Sequence, residues 1–271
     1  MPVDALASAR ESLFGVSGAR GVVFSAALGG PGLVHVLSSS ERGPFAIVVR
    51  GGSPVWASRE GIFASEADGT GRRRLVDDPT IRALAASPHG IVYSTGSAIF
   101  RMEWPQAANP TRLAEGVVAD EVAATSEAVV WLERSAGTSW TLALESGARH
   151  ELARGQREPH DLSLASDGRT VLWHESAPTS PRAFTADTVS RQVRELAGAY
   201  ESDARYLLRS SCLVTPGACK AAALVDWTRL QASAPGAPLT DDASAFYWAT
   251  AARGPGGKWD ILSSRKDRCC P

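Results

Sequence analysis

The sequence predicts an all-β chain folded as a β-propeller, and three observations carry that reading. First, a short hydrophobic stretch, usually closed by an aromatic residue, recurs along the chain. It reads Val22-Val23-Phe24, Val55-Trp56, Ile91-Val92-Tyr93, Val129-Val130-Trp131, Val171-Leu172-Trp173, Tyr206-Leu207-Leu208 and Phe246-Tyr247-Trp248. The ends of these stretches lie 32, 37, 38, 42, 35 and 40 positions apart. A period of about 40 residues built on strand-like pieces marks a propeller. Second, Gly, Pro, Asp and Ser punctuate the chain too often for helices and suit short strands joined by turns. Third, a step of 16 residues separates Leu75 from Ile91, Leu113 from Val129 and Leu230 from Phe246.

The elements follow in order. The unit at 22–54 has room for about three strands. After Val55-Trp56-Ala57-Ser58 come Gly61-Ile62-Phe63-Ala64, a turn at Ala67–Gly71, Arg74-Leu75-Val76 and Ile81–Ala85. The next unit repeats this with Tyr93-Ser94-Thr95, Ala98-Ile99-Phe100-Arg101, a turn near Asn109-Pro110, Arg112-Leu113-Ala114 and Val122-Ala123-Ala124. Trp140-Thr141-Leu142, Glu151-Leu152-Ala153 and Leu162–Ala165 continue it, and the unit at Thr170–Arg205 has a poor fourth strand at Tyr200–Asp203. Each unit is four short strands, one blade. The 16-residue step also runs from Leu6 to Val22, so residues 1–21 read as the second half of a blade. Residues 245–271, with Phe246–Ala249 and Trp259–Leu262, read as the first half. The expectation is a single domain over 1–271, seven-bladed (six being the alternative), closed by a blade shared between the two ends. The recurring aromatics are expected to pack between neighbouring sheets.

Composition narrows the function. The chain has 271 residues, 44% hydrophobic and 21% charged, with a formal net charge of −1. Such a balance gives no global pull toward nucleic acid or anionic membrane. The run Arg72-Arg73-Arg74 is too narrow for a nucleic-acid face and reads as a solvated strand edge. No stretch of 18 apolar residues is present, so no spanning helix is expected, and the first ten residues do not read as a signal peptide. The chain is either cytoplasmic or exported with its leader removed. Cys212 and Cys219 enclose a turn-forming insert and could form a disulfide in an oxidising compartment. Cys269 and Cys270 are adjacent and do not suit a metal site.

One segment carries a family resemblance. Pro159-His160-Asp161-Leu162-Ser163-Leu164-Ala165-Ser166-Asp167-Gly168-Arg169-Thr170-Val171-Leu172-Trp173 resembles the repeat unit of virginiamycin-lyase-like propellers. It is also similar to the Ser-Pro-Asp-Gly-Arg turn of TolB-like repeats. The weak repeat as a whole resembles the bacterial YWTD, TolB-like and virginiamycin-lyase-like superfamily. The resemblance implies fold more than activity.

The candidate sites sit on loops read as crossings from an outer strand to the next inner strand, on the channel face. These are 17–21, 51–54, 87–90, 125–128, 166–170, 201–205 and 240–244. They carry His89, Glu127, Asp167, Glu201, Asp203, Asp241 and Asp242. The plain reading of the acids is that they cap turns. The functional reading is an acidic rim that binds a cation or a basic peptide segment. A gluconolactonase-like metal site is not expected, because those propellers use Asn ligands and Asn109 is the one asparagine here. His89 and His174-Glu175, with His160, form the one grouping suited to acid–base chemistry. Adjacent strand residues point to opposite faces, so His174 and Glu175 do not act as a simple pair. No Gly-x-Ser-x-Gly and no Walker-type loop is present. The sequence therefore reads as a non-enzymatic binding or scaffolding propeller, monomeric, with a protein or small molecule on its channel face. The alternative is a small-molecule lyase or hydrolase using His89, His174 and Glu175. No cofactor is expected, and a divalent cation in the channel is the one candidate.

Overall fold

The computed structural model describes residues 4–9, 12–27, 34–105, 109–125, 128–134, 140–145, 148–155, 159–164, 169–175, 182–196, 239–241, 245–251 and 259–265. They form six antiparallel sheets among the described residues. Sheet A is β1 (Ala5–Ala9), β2 (Ser12–Ser17), β3 (Val22–Ala27) and β4 (Val34–Ser38). Sheet B is β5 (Ala46–Arg50), β6 (Ser53–Ser58), β7 (Gly61–Ala64) and β8 (Arg73–Val76). Sheet C is β9 (Ala83–Ser87), β10 (Gly90–Ser94), β11 (Ala98–Glu103) and β12 (Thr111–Glu115). Sheet D is β13 (Ala119–Ala124), β14 (Val129–Arg134), β15 (Trp140–Glu145) and β16 (Arg149–Gly155). Sheet E is β17 (Pro159–Leu164), β18 (Thr170–Glu175), β19 (Arg182–Asp187) and β20 (Val193–Leu196). Sheet F has three described strands, β21 (Leu239–Asp241), β22 (Ala245–Ala251) and β23 (Trp259–Arg265).

The chain divides into two compact units, Met1–Ile81 with Gly217–Pro271, and Arg82–Pro216. In the first unit the leading strand β1 lies beside β5 and beside β21. In the second, β9 lies beside β13 and β13 beside β17. Within each unit the first strands of neighbouring sheets thus meet, and the hydrophobic anchors belong to second strands. Trp56, Tyr93, Trp131, Trp173 and Trp248 sit on β6, β10, β14, β18 and β22. Sheet A is the exception to the expected phase. Its second-strand aromatic is Phe14, and Phe24 lies on the third strand. With Phe14 as the first anchor, the next four follow after 42, 37, 38 and 42 residues, a tighter period than the one beginning at Phe24.

This shift corrects the expected closure. Residues 5–17 pair with β3 and β4 in a complete four-stranded sheet, and β22 and β23 pair with β21. Among the described residues, the strands of 1–21 and those of 245–271 pair in different sheets. Gly15 helped to conceal the phase: Phe24 lies directly over it, and a Cβ there would come within 2.3 Å of the Phe24 ring.

The second strands β2, β6, β10 and β14 are buried on both faces. Val129 and Trp131 of β14 pack with Val92, Ile99 and Val122, while Ala128, Val130 and Leu132 pack with Val171, Trp173 and Ala186. A strand covered on both sides loses polar alternation and becomes a continuous apolar run. The anchor rings complete the packing. Trp56 stacks on Phe63, Tyr93 on Phe100 and Trp173 on Phe184, at centroid distances of 6.0, 5.2 and 5.5 Å. In each case the register sets the two rings directly opposite on neighbouring strands. Trp56, Trp131 and Trp173 are at most 1% exposed, as expected for packing residues.

A buried carboxylate joins sheets A and B. Glu41 lies in the 39–45 crossing from β4 to β5 and is 4% exposed. It accepts hydrogen bonds from Ser38 Oγ at 2.7 Å and Arg72 Nε at 2.9 Å. Arg72 lies over the Phe63 ring at 4.3 Å, so Trp56, Phe63, Arg72 and Glu41 form one continuous stack. Burial pushes the Glu41 pKa up, but Arg72, Ser38 and the Trp56 indole outweigh it and hold it below the ordinary value. Glu41 Oε2 and Trp56 Nε1 each lack a hydrogen-bond partner of good geometry. Arg74 pairs with Asp77 at 2.8 Å and also faces Phe63. Two arginines of the basic run therefore serve packing and local ion pairs.

These contacts lead to three expected outcomes. Gly61 has φ +133°, and a Cβ there would come within 2.0 Å of the Val76 carbonyl oxygen. Gly61→Ala is expected to destabilise the fold by about 2–3 kcal/mol, read as a lower urea midpoint. An unchanged midpoint would contradict the β7–β8 geometry. Because the folded pKa of Glu41 is depressed, its charge stabilises the fold above the unfolded carboxylate value and that contribution fades as pH falls below it. Glu41→Gln should cost about 2 kcal/mol at pH 7. Its melting curve should approach the parent's as pH drops from about 5 to 3. Arg74→Ala, breaking an exposed pair, should cost under about 1 kcal/mol.

Candidate functional site

Sheet phase decides what each loop is. The segments 51–52, 88–89, 125–128, 165–169 and 242–244 join first to second strands, and 18–21 joins a second to a third. They are hairpin connections within sheets. The expectation that these loops cross between blades is therefore corrected: the crossings that fall wholly within the described residues are 39–45, 77–82 and 116–118. A first strand is entered from the crossing and left through the hairpin. The first-to-second connections and the crossings consequently lie at opposite ends of each sheet, whereas 18–21 lies at the crossing end, where the Glu41 N–H donates to the Gly21 carbonyl.

Candidate residues separate accordingly. His89 is exposed in the β9–β10 turn, at the hairpin end of sheet C. Glu175 is the last residue of β18, opposite Pro159, at the crossing end of sheet E; it is buried at 8% exposure. His174 is the register partner of His160 on β17. The structure thus sets His160 and His174 side by side along the backbone and leaves His89 at the hairpin end of another sheet. Asp241 ends β21, opposite Phe246. Glu127, Asp167, Glu201, Asp203, Asp242, Cys212 and Cys219 lie outside the described residues. Among the described residues, no group of three His, Cys, Asp or Glu gathers as a metal site, and no helix is long and apolar enough to cross a membrane.

The crossing end carries polar ties between leading strands. In β13 the register shifts between Ala119 and Glu121, and Asp120 is the extra residue. A bulge of this kind redirects side chains sideways. Arg82 pairs with Asp120 at 2.6 Å, and Glu121 accepts a hydrogen bond from the Leu162 backbone N–H of β17. That amide belongs to a second irregular step, between His160 and Ser163. Ser94 Oγ adds a buried hydrogen bond to the Ala119 carbonyl at 2.7 Å. In sheet D, the Trp131 indole donates to Glu133 at 2.7 Å, and Arg149 pairs with the same carboxylate. These charges hold sheets together.

Hairpin ends are built differently. In sheet C, Ser87 Oγ accepts the Gly90 N–H at 3.1 Å, and the Trp104 N–H donates to the His89 carbonyl at 3.2 Å. In sheet E, the Thr188 N–H donates to the Arg169 carbonyl at 3.1 Å. Arg169 also grips Asp187 with contacts of 2.6 and 3.0 Å. Asp187 Oδ1 accepts the Val189 and Ser190 N–H groups at 2.9 and 2.6 Å. Burial opposes its charge, but the Ser190 amide, Arg169 and the Val189 amide outweigh it and lower the pKa to about 2. In both sheets the turn after the third strand is tied to the hairpin after the first. The backbone there is held while side chains such as His89 stay exposed, an arrangement that suits recognition.

Sequence reasoning passed over two residues that the structure brings forward. Glu41 looked like an ordinary loop acid, since its partner Arg72 is 31 residues away. Trp104 follows β11 and lies outside the recurring anchor position, so the repeat did not single it out. That displacement was itself the available signal.

No protein-family model matches this sequence, and no curated protein sequence does. Solved structures do match in fold. The chain is similar to virginiamycin B lyase from Staphylococcus aureus, with a TM-score of 0.59 and 10% identity, over 96% of this chain and 83% of that one. It is similar to a TolB-type protein from Agrobacterium tumefaciens, with a TM-score of 0.59 and 12% identity, over 72% and 80%. It also resembles a chain of the nidogen/laminin complex, with a TM-score of 0.58 and 16% identity, over 72% and 78%. At such identities the likeness concerns fold alone, and the fold is that of a β-propeller.

Proposed function

We propose that this chain is a binding propeller that engages a partner through the hairpin ends of its sheets. One observation carries the reading. His89 stands exposed on a backbone-locked turn, while Glu175 is buried at the crossing end of a different sheet. General acid–base catalysis needs its groups within hydrogen-bond reach of one reacting centre, so this separation favours recognition over a shared His/carboxylate site. Glu41 and Glu133 are engaged in indole and arginine contacts that serve packing. The fold suits such a role. One structure that shares it is a nidogen/laminin complex, an assembly of two proteins.

The enzyme alternative has a direct test. Quinupristin accompanies virginiamycin B lyase in one related structure. Incubated with this chain, it is expected to remain intact by mass spectrometry. Turnover that His174→Ala abolishes would overturn the binding reading. In parallel, immobilised protein should capture a partner from lysate of its own source cells. The double variant Pro88→Ser/His89→Ala should lose that capture with an unchanged melting temperature, whereas Val36→Ser, on the outer strand of sheet A, should retain it. Capture indifferent to the hairpin variant would place the binding surface elsewhere.

A further inference from the structure

Three of the turns that lead into fourth strands share one backbone feature. The residue two positions before β8, β12 and β20 has a positive φ: Gly71 at +63°, Asn109 at +47° and Arg191 at +60°. Glycine and asparagine take this left-handed conformation readily, whereas a long side chain there carries backbone strain. Of the three sheets, only E places a cation at the position. The turn that holds it is firmly fixed. The Arg191 N–H donates to the Asp187 carbonyl at 2.8 Å, and Asp187 Oδ1 takes the Val189 and Ser190 amides. None of these bonds uses the Arg191 side chain. Arg191 is exposed, and Val189 in the same turn is 61% exposed. Among the described residues no hydrogen bond or ion pair engages the Arg191 guanidinium. From Thr188 to Arg194 the chain carries Arg191 and Arg194 and no acid. Asp187, which opens the turn, is already answered by Arg169 at 2.6 Å, and Glu195 follows on β20.

Backbone strain persists where the surrounding structure fixes it, and it gathers where a side chain has work to do. An exposed guanidinium with no partner of its own is complementary to a carboxylate, which it can meet with two parallel N–H···O bonds. A turn that is already fixed loses little freedom on binding, and arginine is enriched where partners bind tightly. We propose that the β19–β20 turn of sheet E, with Arg191 as its anchor, docks an aspartate- or glutamate-bearing segment of a partner protein. This rests on the reading of the hairpin ends as the binding face, where Asp187 and its register partner Thr170 place the turn, and it specifies the chemistry of the partner there. Charge complementarity selects an acidic segment over a basic one, which would set like charges against Arg191 and Arg194. The choice of residue then has a reason. Glycine would satisfy the backbone at this position, but it could not answer a carboxylate.

The test uses fluorescein-labelled peptides and the full chain, read by fluorescence anisotropy. An alternating Gly-Glu peptide should bind saturably, and alternating Gly-Arg and Gly-Ser peptides should not. Arg191→Glu should weaken Gly-Glu binding by about tenfold or more, and Arg191→Lys should weaken it less. Arg74→Ala, at an arginine already paired with Asp77, should leave it unchanged. Arg191→Gly separates recognition from folding. It should weaken binding as Arg191→Glu does, yet melt at or above the parent temperature, because the backbone strain is relieved. Three results would each overturn the proposal: no saturable binding of Gly-Glu or equal binding of another peptide; binding unchanged by Arg191→Glu; or an Arg191→Gly variant that melts lower and binds as the parent does. Loss of partner capture in the Pro88/His89 variant, combined with peptide binding that ignores Arg191, would remove this inference alone. Capture indifferent to the hairpin variant would remove the broader reading.

Discussion

Burial of the second strands β2, β6, β10 and β14 on both of their faces is the constraint on which the rest of the structure depends. Val129 and Trp131 serve one inter-sheet core, and Val130 and Leu132 serve the next. A single strand therefore belongs to two cores at once. At roughly 25 cal/mol per Å² of apolar surface, a Trp burying about 200 Å² contributes several kcal/mol to an inter-sheet contact. Each sheet then needs its neighbours, as stacked repeats generally do. Polar groups near these strands have to be satisfied in place. Hence the Trp131 indole meets Glu133, and Glu41 meets Arg72 beside Trp56.

The same constraint explains what sequence could and could not reveal. Runs such as Val129-Val130-Trp131 stood out because strands covered on both faces have no polar side to display. The leading strands did not stand out. Ala5-Leu6-Ala7-Ser8-Ala9 and Ala83-Leu84-Ala85-Ala86-Ser87 each set a single leucine among small residues, and β13 carries Asp120-Glu121 within it. Small side chains let leading strands approach one another, and a bulge lets acids tie them sideways. Both features lower the hydrophobic signal. The strongest runs were consequently assigned to the innermost position, one strand out of place.

That displacement carried through to the candidate site. With anchors read as first strands, the hairpins at 88–89, 125–128 and 165–169 became crossings, and residues from opposite sheet ends were grouped together. The residue types were still informative. Exposure of His89 in a turn was legible from Ser87-Pro88-His89-Gly90, and the packing role of the aromatics was legible from their period. Pairings at long separation were not. Arg72 reaches back 31 residues to Glu41, and Glu121 reaches forward 41 to the Leu162 amide. Such contacts depend on which sheets are neighbours, which a one-strand phase error obscures.

Once the phase is set, the charges divide by the work they do. At the crossing end and within the sheets, Arg82, Asp120, Glu121, Glu133, Arg149, Glu41 and Arg72 answer one another or the backbone. In sheet E, Arg169 and Asp187 at the hairpin end are likewise committed to holding two turns together. In sheet C the equivalent tie is made by backbone alone, from Trp104 to His89. No side-chain charge is consumed in making that tie, and the nearby Glu103 stays exposed.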